Sequence, residues 1–186
     1  MFDKSGFYTA VRHSLLGPTI EPNELAGCEA ILDAMDGTLL SHCAYALATA
    51  FHETARTMQP VREAYWLSEG WRKANLRYYP WYGRGFVQLT WQKNYERADN
   101  ELALGGTLLA NADRAMEIDI AAKVMRRGME EGWFTAHTLG KHLPARLGTV
   151  EQFEDSRRII NGTDKAHSIA VYALSFQDAL GAGGWA

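Results

Sequence analysis

The chain has 186 residues, 47% of them hydrophobic, and a formal net charge of -3. That length supports one well-formed core and is short for two independent domains, while the acidic balance and scattered Lys and Arg lack the footprint of a nucleic-acid binder. Cys28 and Cys43, the two cysteines, fit neither a disulfide framework nor a four-ligand metal site and are expected as reduced, buried thiols.

Taken in order, Asp3 or Ser5 is placed to cap a first helix carrying Phe7, Val11, Leu15 and Leu16, ended by Gly17-Pro18. Pro22 and Asn23 open a second, with Leu25, Ile31, Leu32 and Met35 on one side and Asp36-Gly37 as its stop. A central helix is predicted over 41–55, apolar nearly all round through Tyr45, Ala46, Leu47, Ala48, Ala50 and Phe51, hence a core helix. Residues 56–63 read as loop because Pro60 disfavours helix at Gln59. A short helix over 65–76 follows. Residues 78–90 hold Pro80, Gly83 and Gly85 amid aromatics, and their composition predicts a twisted hairpin as the one strand region.

Helix returns over 91–101 and breaks at Gly105-Gly106. Asn111 or Asp113 then starts a long amphipathic helix with Ala115, Met116, Ile118, Ile120, Ala121, Val124, Met125 and Met129 on its stripe, closed by Gly132. A loop with histidines leads through Pro144 to helices over 150–160 and 166–180, joined by Asn161-Gly162-Thr163-Asp164, and GAGGWA reads as a tail. The start holds Asp3 and a broken apolar pattern, so no signal peptide is predicted. The longest apolar run, residues 43–51, is too short to span a bilayer. These features predict a protein made and kept in the cytoplasm, without stable membrane association.

Glu53 ends the apolar helix, in low-dielectric surroundings and at the negative end of the helix dipole. Both effects disfavour the anion, which suits a general acid; a glutamate that merely ends a helix and reaches water is the other reading, and the residues leave both open. Glu63 lies past the Pro60 turn beside Arg62, a polar setting expected to keep it ionised, although a glutamate so placed is more often a solvated surface charge. A protonated carboxyl facing an ionised one cleaves glycosidic bonds, with inversion when they stand about 6.5–9.5 Å apart. Between Tyr82 and Trp91 the glycines allow close approach of a ligand. Trp81, Tyr82 or Trp91 would stack on sugar rings, and Gln88, Thr90 and Asn94 would supply hydrogen bonds. The alternative, a packed hairpin with core aromatics, fits Trp91 and Phe86 better.

His52-Glu53 does not continue as a zinc-protease motif, since Arg56 stands where the second histidine belongs. His13, His42, His137, His142 and His167 show no tight spacing, and neither cysteine has a histidine poised to activate it.

HET at 52–54, PVRE at 60–63, YGRGFVQLTWQKNY at 82–95 and IINGTDKA at 159–166 together resemble the glycoside hydrolase family 19 and lysozyme-like superfamily, and within it the small endolysins of phages that infect Gram-negative bacteria. The resemblance implies a single catalytic domain over 1–186, mainly α in an α+β lysozyme-like fold, bilobed, with a small β hairpin beside the cleft. It implies Glu53 as general acid, Glu63 as general base and Thr90 as a holder of the attacking water. Tyr82, Gln88, Asn94 and Asn161 fall at substrate-binding positions. Ala55-Arg56 follow the HET motif where the family's chitinases usually have glycine, the Glu-to-Glu segment is short, and paired cysteines and a chitin-binding module are missing. Those departures move the expected substrate from chitin to peptidoglycan, and make Glu53 the firmer of the two assignments. The implied enzyme is a monomer needing neither metal nor organic cofactor. It would wait in the host cytoplasm until a holin opens the way to the periplasm and cell wall. Its uncharged GAGGWA end predicts weak killing of intact Gram-negative cells from outside.

Overall fold

The computed structural model of the chain describes residues 2–186. Asp3 accepts a hydrogen bond from Ser5 N and opens α1 (Lys4–Val11), which runs into a π turn, Arg12–Leu16, before Gly17 leaves the helix with φ 81°. Pro22 begins α2 (Pro22–Ala34), where Glu21 and Glu24 bond reciprocally across the first turn; Ile31 and Leu32 are buried, whereas Leu25 stays exposed. α3 (Leu40–Glu53) is buried from Leu40 to Phe51 except at the half-buried His42, as a helix with almost no polar face must be. Then come β1 (Val61–Arg62), α4 (Glu69–Asn75) capped by Ser68, β2 (Arg84–Gly85), α5 (Gln92–Glu101) and α6 (Thr107–Ala110). The chain ends with α7 (Ile118–Glu131), α8 (Leu139–His142), α9 (Val150–Ser156) and α10 (Ala166–Ala182).

The core is built on α3 and α10, with α1 and α9 packed on α10 and α7 on α2. Tyr45 of α3 stacks on Phe153 of α9 at 6.5 Å between centroids while its hydroxyl donates to Ser156 O at 2.8 Å, so a core ring keeps its polar end satisfied. Phe51 meets Tyr172 and Phe176 of α10 edge-on at 5.1 and 6.0 Å. The mainly helical reading holds.

Three local expectations are corrected. β2 pairs antiparallel not within its own hairpin but with β1, in the register Val61↔Gly85 and Arg62↔Arg84, and residues 78–90 keep a single bridge, Arg84↔Leu89. A strand of two residues is too short to show a period, so Val61-Arg62 read as loop. Second, the long helix from Asn111 is divided: Asn111 accepts from Asp113 N and starts a 3-10 turn, Ala112–Met116, then Glu117 is extended and α7 follows. Within that turn the Asp113 carboxylate bonds Arg62 and Arg84, one from each strand, at 3.0 and 2.9 Å, which ties the turn to the sheet. Burial pulls Asp113 upward, and those two guanidiniums outweigh it and hold it below the usual aspartate range. Third, GAGGWA is not a free tail. Trp185 is 6% exposed, its indole N–H donates to Thr38 O at 3.1 Å, and its ring meets Phe2 at 4.9 Å.

α3 also carries a pH dependence. His42 is half-buried and donates through Nε2 to Leu143 O at 2.8 Å; burial lowers its pKa below 6.5, more than the carbonyl and Glu130 raise it. Burial likewise lowers His52, outweighing the pull of Glu53. Both are held neutral in the fold and take up protons first in the unfolded chain. Their stabilisation is complete above pH 6.5 and is lost as the pH falls from there through the folded values. Urea unfolding at pH 7.5, 6.5 and 5.5 is expected to show falling stability, with a flatter slope in His42→Gln. An unchanged slope would assign the acid sensitivity elsewhere.

Candidate active site

Glu53 is the last residue of α3, and its carboxylate Oε1 accepts from Arg157 Nη1 at 2.6 Å. Both partners are withdrawn from water, at 19% and 3% side-chain exposure, and Arg157 Nε donates to Asp164 O at 3.0 Å. Oε2 accepts no hydrogen bond among the described residues, so one oxygen is anchored and the other is open. The sequence placed Glu53 beside apolar groups and a helix end but gave no sign of this cation, which lies 104 positions away. Just after Glu53 the chain turns through Ala55 and Arg56 at φ 51° and 72°. Left-handed backbone at a non-glycine residue costs about 1 kcal/mol, and the chain bears it here at two residues in succession. Thr54 secures the turn by donating to Ala50 O and accepting from Met58 N. Gly27 of α2 lets it approach, since a Cβ there would stand 1.7 Å from Met58 O.

Glu63 follows β1 and is held from β2's side. Its N–H donates to Gly83 O at 2.7 Å, Oε2 accepts from Gly83 N at 3.0 Å, and Oε1 accepts from Tyr78 OH at 2.5 Å. Burial and that carboxylate push the Tyr78 phenol up to about 12, so it remains a donor. Each carboxylate oxygen keeps a second lone pair for water. Gln88, at φ 54°, donates to Val61 O at 3.0 Å; Thr90 Oγ1 donates to Gln88 O at 2.7 Å, and Asn94 donates to Thr90 O at 2.8 Å. Four of the residues singled out from sequence, Glu63, Gln88, Thr90 and Asn94, are therefore connected around the small sheet. Asn161 is exposed and belongs with Glu53, for its N–H donates to Arg157 O at 2.9 Å.

Tyr82 does not fit the stacking expectation. It is fully buried, with the Arg84 guanidinium 3.6 Å from its ring centroid, Arg72 at 5.4 Å and its hydroxyl on Glu69 at 2.9 Å. A ring covered by two guanidiniums has no face for a sugar. Trp91 departs in the other direction: 41% exposed, it lies over Tyr78 at 4.9 Å and takes Arg77 at 5.2 Å, whereas Phe86 is buried as expected. A depression of about 500 Å³ lined by Trp91, Gln92, Lys93, Asn94, Trp133 and Phe134 adjoins this end of the sheet; neither carboxylate lines it.

Two further groupings were not legible from spacing. His137 and His142, read as loop residues, are bonded ring to ring at 2.8 Å, and His142 bonds Asp155 at 2.7 Å. With Thr135 donating to Ile159 O, this ties the loop after α7 to the segment carrying Arg157 and Asn161. Cys28 and Cys43 are buried free thiols; burial pushes Cys28 up to about 12 and Cys43 well above its usual value, which disqualifies both as nucleophiles. Among the described residues no three or more His, Cys, Asp or Glu side chains are grouped to hold a metal ion, and no helix is long and apolar enough to cross a membrane.

The mainly helical frame, with a two-stranded sheet against the helices, is the lysozyme-like fold of the family 19 chitinases. The chain is similar to chitinase C from Streptomyces griseus, with a TM-score of 0.62 and 20% identity over 97% of this chain and 76% of that one. It is similar to a mutant of chitinase C at TM-score 0.54 and 18% identity, over 96% and 84% of the two chains. A bacterial family 19 chitinase matches at TM-score 0.52 and 22% identity, over 97% and 95%. No protein-family model and no curated protein matches the chain.

Proposed function

We propose that the chain is a glycoside hydrolase that cleaves the β-1,4 glycan bond of bacterial peptidoglycan, as a muramidase-type endolysin. The observation that carries the reading is the pair of carboxyl groups with separate, fully specified holders: Glu53 on Arg157, and Glu63 on Tyr78 and Gly83. In its protonated form, with Oε1 still accepting from Arg157, Glu53 would give the proton on Oε2 to the leaving glycosidic oxygen as the bond to the anomeric carbon breaks. Glu63 would take a proton from the water whose oxygen bonds that carbon, and Thr90 would help to orient it. Water is consumed and two glycan ends are released. The side chains named supply both proton transfers. In the same reading, lysis is timed by a phage holin, and the monomeric enzyme passes from host cytoplasm to cell wall.

A second reading, cleavage of N-acetylglucosamine polymers, draws support from the chitinases whose fold the chain shares. Mass spectrometry of fragments from purified peptidoglycan and from chitin oligomers separates the two. Disaccharide-peptides with a reducing muramic acid end are expected from peptidoglycan. Cleavage of chitin alone would move the assignment to chitinase, and release of peptides only would overturn both.

A further inference from the structure

The most exposed large apolar side chains of the described residues are Tyr65 and Trp66, at 61% and 71%. They follow Glu63 by two and three positions, and their rings meet edge to face at 5.1 Å between centroids. Exposed aromatics on a flexible loop would be unremarkable, but this turn is rigidly held. Ala64 sits at φ 49° and accepts from Leu67 N at 2.9 Å. Arg72, only 6% exposed, donates through Nη1 to the carbonyls of Ala64 and Leu67 at 2.8 and 2.9 Å, and is itself anchored by Glu69 at 2.9 Å and by the Tyr82 ring. A buried guanidinium thus fixes the backbone from below while both rings project outward.

We propose that Tyr65 and Trp66 form a stacking platform for pyranose rings, which extends the glycan site outward from Glu63 and grips the polymer away from the bond that is cut. The inference rests on the glycan reading above. Flat rings with few rotatable bonds, on a turn already ordered, lose little entropy on binding, and the C–H faces of a pyranose offer the apolar surface they lack. Position selects the ligand: Arg72, which holds this turn, also donates to Glu63 O at 3.5 Å, and Trp91, whose ring lies against Tyr78, the donor to that carboxylate, stands exposed as well. Charge argues against a membrane surface, because Glu63 and Glu69 flank the pair and residues 63–70 contain no Lys or Arg.

The test is co-sedimentation of the Glu53→Gln protein with insoluble peptidoglycan and with chitin, compared with the same protein carrying Tyr65→Ala and Trp66→Ala. Both rings are exposed, so the melting temperature is expected to stay put, while affinity for the polymer falls about tenfold; Trp66→Phe in place of Trp66→Ala recovers part of it. Equal binding by the Ala variant overturns the platform and leaves the glycan reading intact. If the Glu53→Gln parent binds neither polymer, the glycan reading and the platform fall together. Loss of binding to phosphatidylglycerol vesicles with polymer binding retained would make the pair a membrane patch instead.

Discussion

Glu53→Gln is expected to lower turnover on purified peptidoglycan by about 10²–10⁴-fold, the range general acid catalysis supplies, with little change in affinity for the polymer. Glutamine keeps the shape and can still accept from Arg157, but it has no proton to give to the leaving oxygen. An ion pair becomes a guanidinium–amide hydrogen bond, so a loss of about 1–2 kcal/mol of stability accompanies it, small enough for the variant to remain folded. Steady-state release of reducing ends, with binding measured in parallel, is the relevant assay. A fully active Glu53→Gln protein would remove Glu53 from the mechanism and with it the two-carboxylate reading.

Replacing Arg157 is expected to damage both stability and rate, and the two losses are separable. Arg157→Ala leaves the mostly buried Glu53 carboxylate without its cation and Asp164 O without its donor, a loss of about 3–5 kcal/mol. For a chain of this size that lowers Tm by roughly 10 °C. Arg157→Lys restores the charge, and much of the stability, but an ammonium on a flexible stem cannot hold Glu53 Oε1 and Asp164 O with fixed, divergent N–H groups. Its kcat is expected to remain at least about tenfold down with KM nearly unchanged, measured well below Tm. Such a split marks Arg157 as a positioning residue. Full activity in a restabilised Arg157→Lys protein would reduce it to a structural ion pair.

Local chemistry made much of this molecule readable in advance. Helical spacing and end signals located the longer helices, though not the four-residue α6 and α8, because an apolar stripe and a Pro or Gly boundary are properties of neighbours in the chain. α3 was recognisable from its lack of a polar face, and Glu53 from standing at its end. What escaped depends on partners far along the chain. Val61-Arg62 became a strand only because Arg84-Gly85 came to lie beside it, and Asp113 sits in a separate 3-10 turn on which both arginines converge. Trp185 was read as tail since nothing local shows that Thr38 O and Phe2 wait for it.

The same division runs through the site. By itself the sequence offered Glu53, Glu63, Gln88, Thr90, Asn94 and Asn161 as candidates, and determined the mainly helical frame that carries them. Tertiary structure alone decided that Arg157 anchors Glu53, that Tyr78 and Gly83 hold Glu63, and that Tyr82 is sealed between guanidiniums while Trp91 lies open. The reason is physical. Burial periodicity is written in residues three or four apart, whereas a charged or hydrogen-bonding group is satisfied by whichever partner the packing of distant elements brings within about 3 Å.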